Sequence, residues 1–308
     1  MTSVTQQPLV QPPAGIGTRL FAGNTGPVTV ILLLFVAIWY AGAVYLNAPW
    51  QIDIYERAKV DWTLGDLVHE TLRQERPVLP APHQVLVEMN ETIFGKRITS
   101  KRSLVYHTWV TLSSAFLGFV IGTLLGGLIA VGIVHVVSLE KSLMPWVISS
   151  QTIPILALAP MIIVVLGAIG LKGLVPKAII STYLCFFPVT IGMVKGLRSP
   201  NPLQMDLIRT YSASKWQIFW MLRFPSSVPF LFTSLKVAIA ASLVGAIVGE
   251  MPTGAQAGLG ARLLAGSYYG QTIQIWSALV TAALVAALMV ALIGWIERLT
   301  LKRMGLQP

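Results

Sequence analysis

The sequence predicts an all-α integral membrane protein with six transmembrane helices, and three observations carry that expectation. Of 308 residues, 55% are hydrophobic and only 11% are charged, and the mean hydropathy is +0.71. That is the composition of a membrane protein. The charges are gathered into a few segments, leaving uncharged tracts long enough to cross a hydrocarbon core of ~30 Å. Between two such tracts lies a stretch from Gln204 to Pro229 that is too polar and basic to be a span. A single cysteine, Cys185, sits inside an apolar run, so no intrachain disulfide forms.

Residues 1–26 are rich in Pro and Gln and lack both the charged start and the small-residue cleavage site of a signal peptide. They are expected to be a disordered cytoplasmic tail. The first span is expected at 27–46. The segment 47–103 is too polar to cross, since Asp53–Arg102 alone holds eight basic and eight acidic residues. Within it, Leu64–Arg76 reads as an amphipathic helix and Leu79-Pro80-Ala81-Pro82 as a stop. The pattern resumes helically at His83–Ile93. A core of five further spans follows over 104–303, the first at about 104–136. Here Ser114, Gly118, Gly122, Gly126 and Ala130 recur every four residues, a small-residue stripe that lets another helix approach closely. The stripe does not specify its partner.

Pro145, Pro154 and Pro160 punctuate the next apolar tract, placing an interfacial segment at Ser142–Thr152 and a span at about 154–169. A short span with Pro188 follows at 178–194. The loop 196–227 reads as a surface hairpin, with a helix at Asp206–Tyr211, a Ser-Ala-Ser break, a helix at Lys215–Leu222 and closure by Phe224-Pro225. Spans at 228–248 and 272–296 and a tail at 304–308 complete the chain.

Placing the hairpin in the cytoplasm puts both termini there. That side then carries Arg19, Lys141, Lys195, Arg198, Arg209, Lys215, Arg223, Arg298, Lys302 and Arg303, against Lys172, Lys177 and Arg262 in the short outer loops. The distribution obeys the positive-inside rule. Lys236 lies within the fifth span about 10 Å from its cytoplasmic end by helical rise. It is expected to anchor at the interface or line a pathway, with no partner acid evident. Glu250, at the outer end, is a candidate for lining a pathway or meeting a partner. His107 and His135 stand at opposite ends of one span, too far apart to share a metal.

There is no phosphate-cradling G-x-x-x-x-G-K-[ST] stretch, no H-E-x-x-H pair and no G-x-S-x-G elbow, so the chain is expected to be neither an ATPase nor a hydrolase. The net charge of +10 follows topology rather than forming a nucleic-acid face, and implies contact with the inner leaflet. An ion-gradient-driven transporter or channel is the alternative. It calls for paired ionisable residues within spans and for internal repeats, neither of which is evident.

The hairpin resembles the EAA loop of permease subunits in bacterial binding-protein-dependent ABC importers. The matching residues are Asp206-Leu207-Ile208, Ser212, Leu222, Phe224 and Pro225, with Asp206 replacing the usual Glu and Ser212 the usual Gly. Arg209-Thr210 and Ala213-Ser214-Lys215-Trp216-Gln217 are similar to the nitrate/sulfonate/taurine branch. So are Leu79-Pro80-Ala81-Pro82, the Pro154–Pro160 tract and Gly245–Met251, and the likeness spans about Leu79–Arg303. The resemblance implies the type I ABC importer permease fold in the bacterial inner membrane, with the hairpin as a coupling helix docked on an ATPase.

It further implies a second copy of the chain, two cytoplasmic ATPase subunits that bind ATP and Mg, and a periplasmic solute-binding protein. Asp206, Arg209, Tyr211, Ser212, Ala213, Ser214, Lys215 and Trp216 would couple to the ATPase. Asp206 would offset the helix dipole, while Tyr211 and Trp216 would anchor in its groove. Pathway candidates are Pro154, Pro160, Tyr183, Phe187, Lys236, Glu250 and Trp276. The solute would be nitrate-, sulfonate- or taurine-like, or a heteroaromatic vitamin precursor. The segment 53–78 exceeds the usual family spacing.

Overall fold

The structure, a computed structural model, describes residues 25–252 and 257–305. Nearly all of the tail expected at 1–26, and the end of the one expected at 304–308, lie outside the described residues. All regular structure among the described residues is helical, and the chain divides into two compact units, residues 1–84 and 85–308.

In the first unit, α1 (Thr25–Ala58) runs 34 residues, about 51 Å at 1.5 Å per residue. It therefore outlasts the apolar stretch 27–46. Asn47, the residue immediately after that stretch, is fully buried. Its Nδ2 donates to the carbonyls of Thr71 (3.3 Å) and Leu79 (2.9 Å), and its Oδ1 accepts from Val78 N (2.8 Å) and Leu79 N (3.2 Å). This knot stops α2 (Leu64–Thr71) five residues short of the expected Arg76. The carbonyl of Thr71 bonds to a side chain instead of the next turn. At its start, Thr63 and Asp66 form a reciprocal capping box. Gln84 Oε1 accepts from Ala81 N at 2.9 Å, opening α3 (Pro82–Ile93).

The second unit is built around three long helices: α4 (Leu104–His135), α7 (Leu174–Leu197) and α10 (Phe224–Glu250). The glycine stripe of α4 finds its partner in α7. A Cβ on Gly118 would stand 2.3 Å from Ser181 Cβ, on Gly122 2.8 Å from Cys185 Cβ, and on Gly126 2.9 Å from Val189 Cβ. Both numbers rise together, so α4 and α7 run parallel. Gly192 and Gly249 of α7 and α10 pack on Ser234 and Lys177 respectively, with numbers moving oppositely, so that pair is antiparallel. Phe119, Ile133, Val189, Leu197, Phe219 and Ile239 form the apolar core among them.

Between α4 and α7, α5 (Val137–Ser149), a 3₁₀ turn and α6 (Ile155–Ala168) meet at 102°. The bend falls where extended Ile153 and Pro154 cannot continue the helix. The helix at 137–149 begins earlier than the interfacial segment expected at 142–152.

After α7 come α8 (Pro202–Thr210) and α9 (Lys215–Ile218), then a π-turn at Phe219–Arg223 that runs directly into α10. Phe224-Pro225 does not close the hairpin as expected. Phe224 N–H reaches back to Phe219 O, and the widened turn absorbs a proline that has no N–H to give. The second arm of the hairpin and the fifth span are thus one column, Lys215–Glu250. The chain ends with α11 (Leu259–Tyr269) and α12 (Thr272–Arg303). The last helix runs seven residues past the expected 296, because Leu301 is buried against Val228 and Phe232. Glu297, moreover, pairs with Lys236. Lys236 therefore does have an acidic partner, on a helix distant in sequence.

Candidate functional site

At the hairpin, Asn201 and Gln204 make a capping box and Pro202 opens α8, while Ser214 and Gln217 repeat the device at α9. The turn between them places Ser212 at φ +55°, the left-handed region that glycine occupies without strain. Its N–H bonds to Arg209 O at 2.9 Å. Asp206 does not sit in the first turn of its helix, since α8 starts four residues earlier. It lies 3.4 Å from Arg209 on the next turn instead, too far along to act on the dipole.

Tyr211 is 79% and Trp216 69% exposed, and Leu203 and Leu207 are exposed beside them. The otherwise polar hairpin thus presents four large apolar side chains to its surroundings. Ala213, Ser214 and Lys215 complete the tip, with Ala213 half-buried.

The base of the hairpin is welded by aromatic rings. Phe219, buried in the core, lies 5.4 Å from His135 at the end of α4 and 5.2 Å from Trp220, and Trp220 lies 5.2 Å from Phe224. These ring contacts join the second arm of the hairpin to the end of α4 and the start of α10. The density of rings over Trp216–Phe224 was the available signal for this weld, although neither the π-turn nor His135 was visible in it.

At the opposite end of the three central helices, Glu250 is 0% exposed, which removes it from any pathway surface or docking face in this conformation. Its carboxylate accepts from Gly260 N (2.8 Å), lies 3.0 Å by either oxygen from Thr111 Oγ1, and stands 3.6 Å from Lys177 Nζ. Thr111 Oγ1 in turn accepts from Leu259 N at 2.8 Å. His107 Nε2 donates to Lys101 O at 2.9 Å, and Nδ1 lies 3.0 Å from both the backbone N and the backbone O of Gly258. Gly258, at φ +125°, has no room for a Cβ, which would fall 2.2 Å from the Glu250 carboxyl carbon. The latch joins α4, α7, α10 and α11.

Of the remaining pathway candidates, Tyr183 and Phe187 lie one turn apart on α7. Pro154 and Pro160 are exposed along α6, and Phe187 and Trp276 are half-buried on α7 and α12. Tyr183 donates its hydroxyl proton to Ser150 O. Among the described residues no group of three His, Cys, Asp or Glu is arranged to hold a metal.

The family model described as "Binding-protein-dependent transport system inner membrane component" matches residues 118–306. A formylaminopyrimidine transport permease protein of Halalkalibacterium halodurans is 31% identical over 186 residues, covering 59% of this chain and 68% of that protein. A riboflavin transport system permease protein of Chloroflexus aurantiacus is 31% identical over 225 residues, covering 73% and 80%. Among solved structures, the MetNI methionine ABC transporter in inward-facing conformations matches with a TM-score of 0.52 at 22% identity. That match covers 63% of this chain and 94% of that one.

Proposed function

The chain belongs to the family of binding-protein-dependent transport system inner membrane components, and from that premise we propose how it works. It is a multi-pass permease of the inner membrane with the type I ABC importer fold. Two copies enclose a shared pathway, and two cytoplasmic ATPase subunits, which bind ATP and Mg, dock on the hairpins. A periplasmic binding protein delivers the solute. Both termini are cytoplasmic, in keeping with the charge distribution.

The observation that carries this reading is the hairpin. Its exposed apolar tip at Tyr211 and Trp216 offers a groove-filling surface, and its ring-welded base passes displacement to α4 and α10. Closure of the ATPases draws the hairpins together and rocks the spans between inward- and outward-facing states. The latch around Glu250 holds the ends of the same helices on the other side, so the two halves of the stroke act on one rigid bundle.

The solute is a heteroaromatic vitamin precursor, in preference to nitrate or a sulfonate. The two relatives at 31% identity are named for formylaminopyrimidine and riboflavin, and Tyr183, Phe186, Phe187 and Trp276 supply aromatic surface suited to such a ring.

The test is ATP hydrolysis in nanodiscs by the complex that co-purifies with this chain, with and without its binding protein. Stimulation that disappears in Ala213→Arg, in a chain still inserted, supports the reading. Unimpaired stimulation in that variant refutes hairpin coupling. A chain that purifies alone and moves solute down an ion gradient refutes the importer itself.

A further inference from the structure

We propose that the cavity beneath the hairpin is a binding site for a phosphate group. The cavity measures about 390 Å³ and is lined by four basic side chains from four elements: His135 ending α4, Arg209 on α8, Lys215 on α9 and Arg223 on the π-turn. No carboxylate lines it. Asp206 is the only acid on the hairpin, and it pairs weakly with Arg209, 3.4 Å away, from outside the wall. Neither Lys215 nor Arg223 has an ion-pair partner among the described residues.

Arg223 is half-buried while His135, Arg209 and Lys215 are exposed, so water screens their mutual repulsion, and a tetrahedral anion with several acceptor oxygens offers all of them a common partner. Two guanidinium forks and an ammonium suit phosphate better than a single carboxylate. His135 donates Nδ1–H to Val131 O at 2.8 Å, which leaves Nε2 as its second polar atom.

The exposed apolar residues Leu203, Leu207 and Tyr211 do not line the cavity, whereas Arg209, Ala213 and Lys215 of the coupling set do, so an anion held here adjoins the ATPase-docking face and shares its basic residues. Basic pockets at the cytoplasmic ends of membrane helices are suited to anionic lipid headgroups, and exposed Trp220 at the base of the hairpin is of the type that settles at the membrane interface. A phosphate here bridges α4, α8, α9 and the π-turn, and so stiffens the coupling element. That consequence rests on the proposed function, whereas the binding itself does not. The group belongs either to an inner-leaflet lipid or to free phosphate.

The experiment uses the delipidated complex in detergent. Native mass spectrometry follows phosphatidylglycerol against phosphatidylcholine, and tryptophan fluorescence follows inorganic phosphate. Two variants are compared with the wild type: Arg209→Gln/Lys215→Gln/Arg223→Gln, which removes the donors, and Met205→Glu, which keeps them but adds a carboxylate to the wall.

Retained phosphatidylglycerol that phosphatidylcholine does not replace, weakened about tenfold or more in both variants, establishes a lipid site. Saturable phosphate binding with the same losses establishes a soluble one. The proposal is overturned if neither probe binds the wild type, or if both variants bind as the wild type does. A complex that binds phosphatidylglycerol yet shows no stimulated ATPase keeps the site and loses the coupling reading.

Discussion

Replacing Glu250 with alanine is expected to be among the most damaging single changes available in this chain, and the latch geometry sets the size of the effect. The carboxylate is wholly buried, and Lys177 beside it is 6% exposed. Its attraction to Lys177 acts over 3.6 Å, beyond ordinary hydrogen-bond length, whereas the bonds from Gly260 N at 2.8 Å and Thr111 at 3.0 Å are short.

Stranding the buried Gly260 N–H costs about 1–3 kcal/mol. Leaving Lys177 as an unpaired buried charge brings the total for Glu250→Ala to about 3–5 kcal/mol. Glu250→Gln keeps an acceptor for Gly260 and Thr111 and is expected to cost about half as much. Glu250→Ala combined with Lys177→Met removes both charges, so its cost should fall short of the sum of the singles by about 1 kcal/mol or more.

The assay is reversible unfolding in mixed micelles across the double-mutant cycle. Additivity within about 0.5 kcal/mol would refute the claim that these groups act as one unit. A Glu250→Ala protein as stable as the wild type would refute the burial argument entirely.

Further outcomes are expected at other positions. Gly122→Ala drives a Cβ to 2.8 Å from Cys185 Cβ and should cost about 1–3 kcal/mol by overpacking. Gly127→Ala, with nothing within 4 Å, should be neutral or slightly stabilising in the same unfolding assay. Ser212→Gly relieves a left-handed turn residue and should preserve stimulated ATPase activity with no loss of stability, while Ser212→Val should destabilise the turn by about 1–2 kcal/mol and weaken stimulation.

Hydrogen bonds from the Thr63 side chain and backbone hold the Asp66 carboxyl below its usual range. Its capping contribution to α2 is therefore complete above the ordinary Asp pKa and is lost as pH falls through the depressed folded value. Amide exchange across Leu64–Thr71 followed from neutral to acid pH checks this, and exchange there independent of pH, after correction for intrinsic rates, would contradict it.

Much of this protein was legible because hydropathy is local. A run of apolar residues needs no partner to be recognised as membrane-spanning, which is why the helices at Leu104–His135 and Leu174–Leu197 lie over the expected spans at 104–136 and 178–194. Caps and turns are local too, and the hairpin announced itself through Asn201, Ser214 and a wet, basic stretch between two spans.

Helix ends were less legible. The extensions of α1 past Leu46 and α12 past Ile296 depend on Asn47 finding the loop at 71–79 and on Leu301 finding Phe232, and both are contacts with distant segments. The π-turn likewise arises from the meeting of Phe219 with His135 and of Pro225 with a continuing helix.

By itself, then, the sequence determined the membrane class, the long apolar tracts, the small-residue stripe and the hairpin with its charge. Each of these is a property of residues within a few turns of one another. Only the tertiary structure decided that the stripe packs on α7, that Lys236 answers to Glu297, and that Glu250 is a buried latch rather than a surface group. Close approach, ion pairing and burial each depend on which distant helix arrives alongside, and composition along one helix does not encode that arrival.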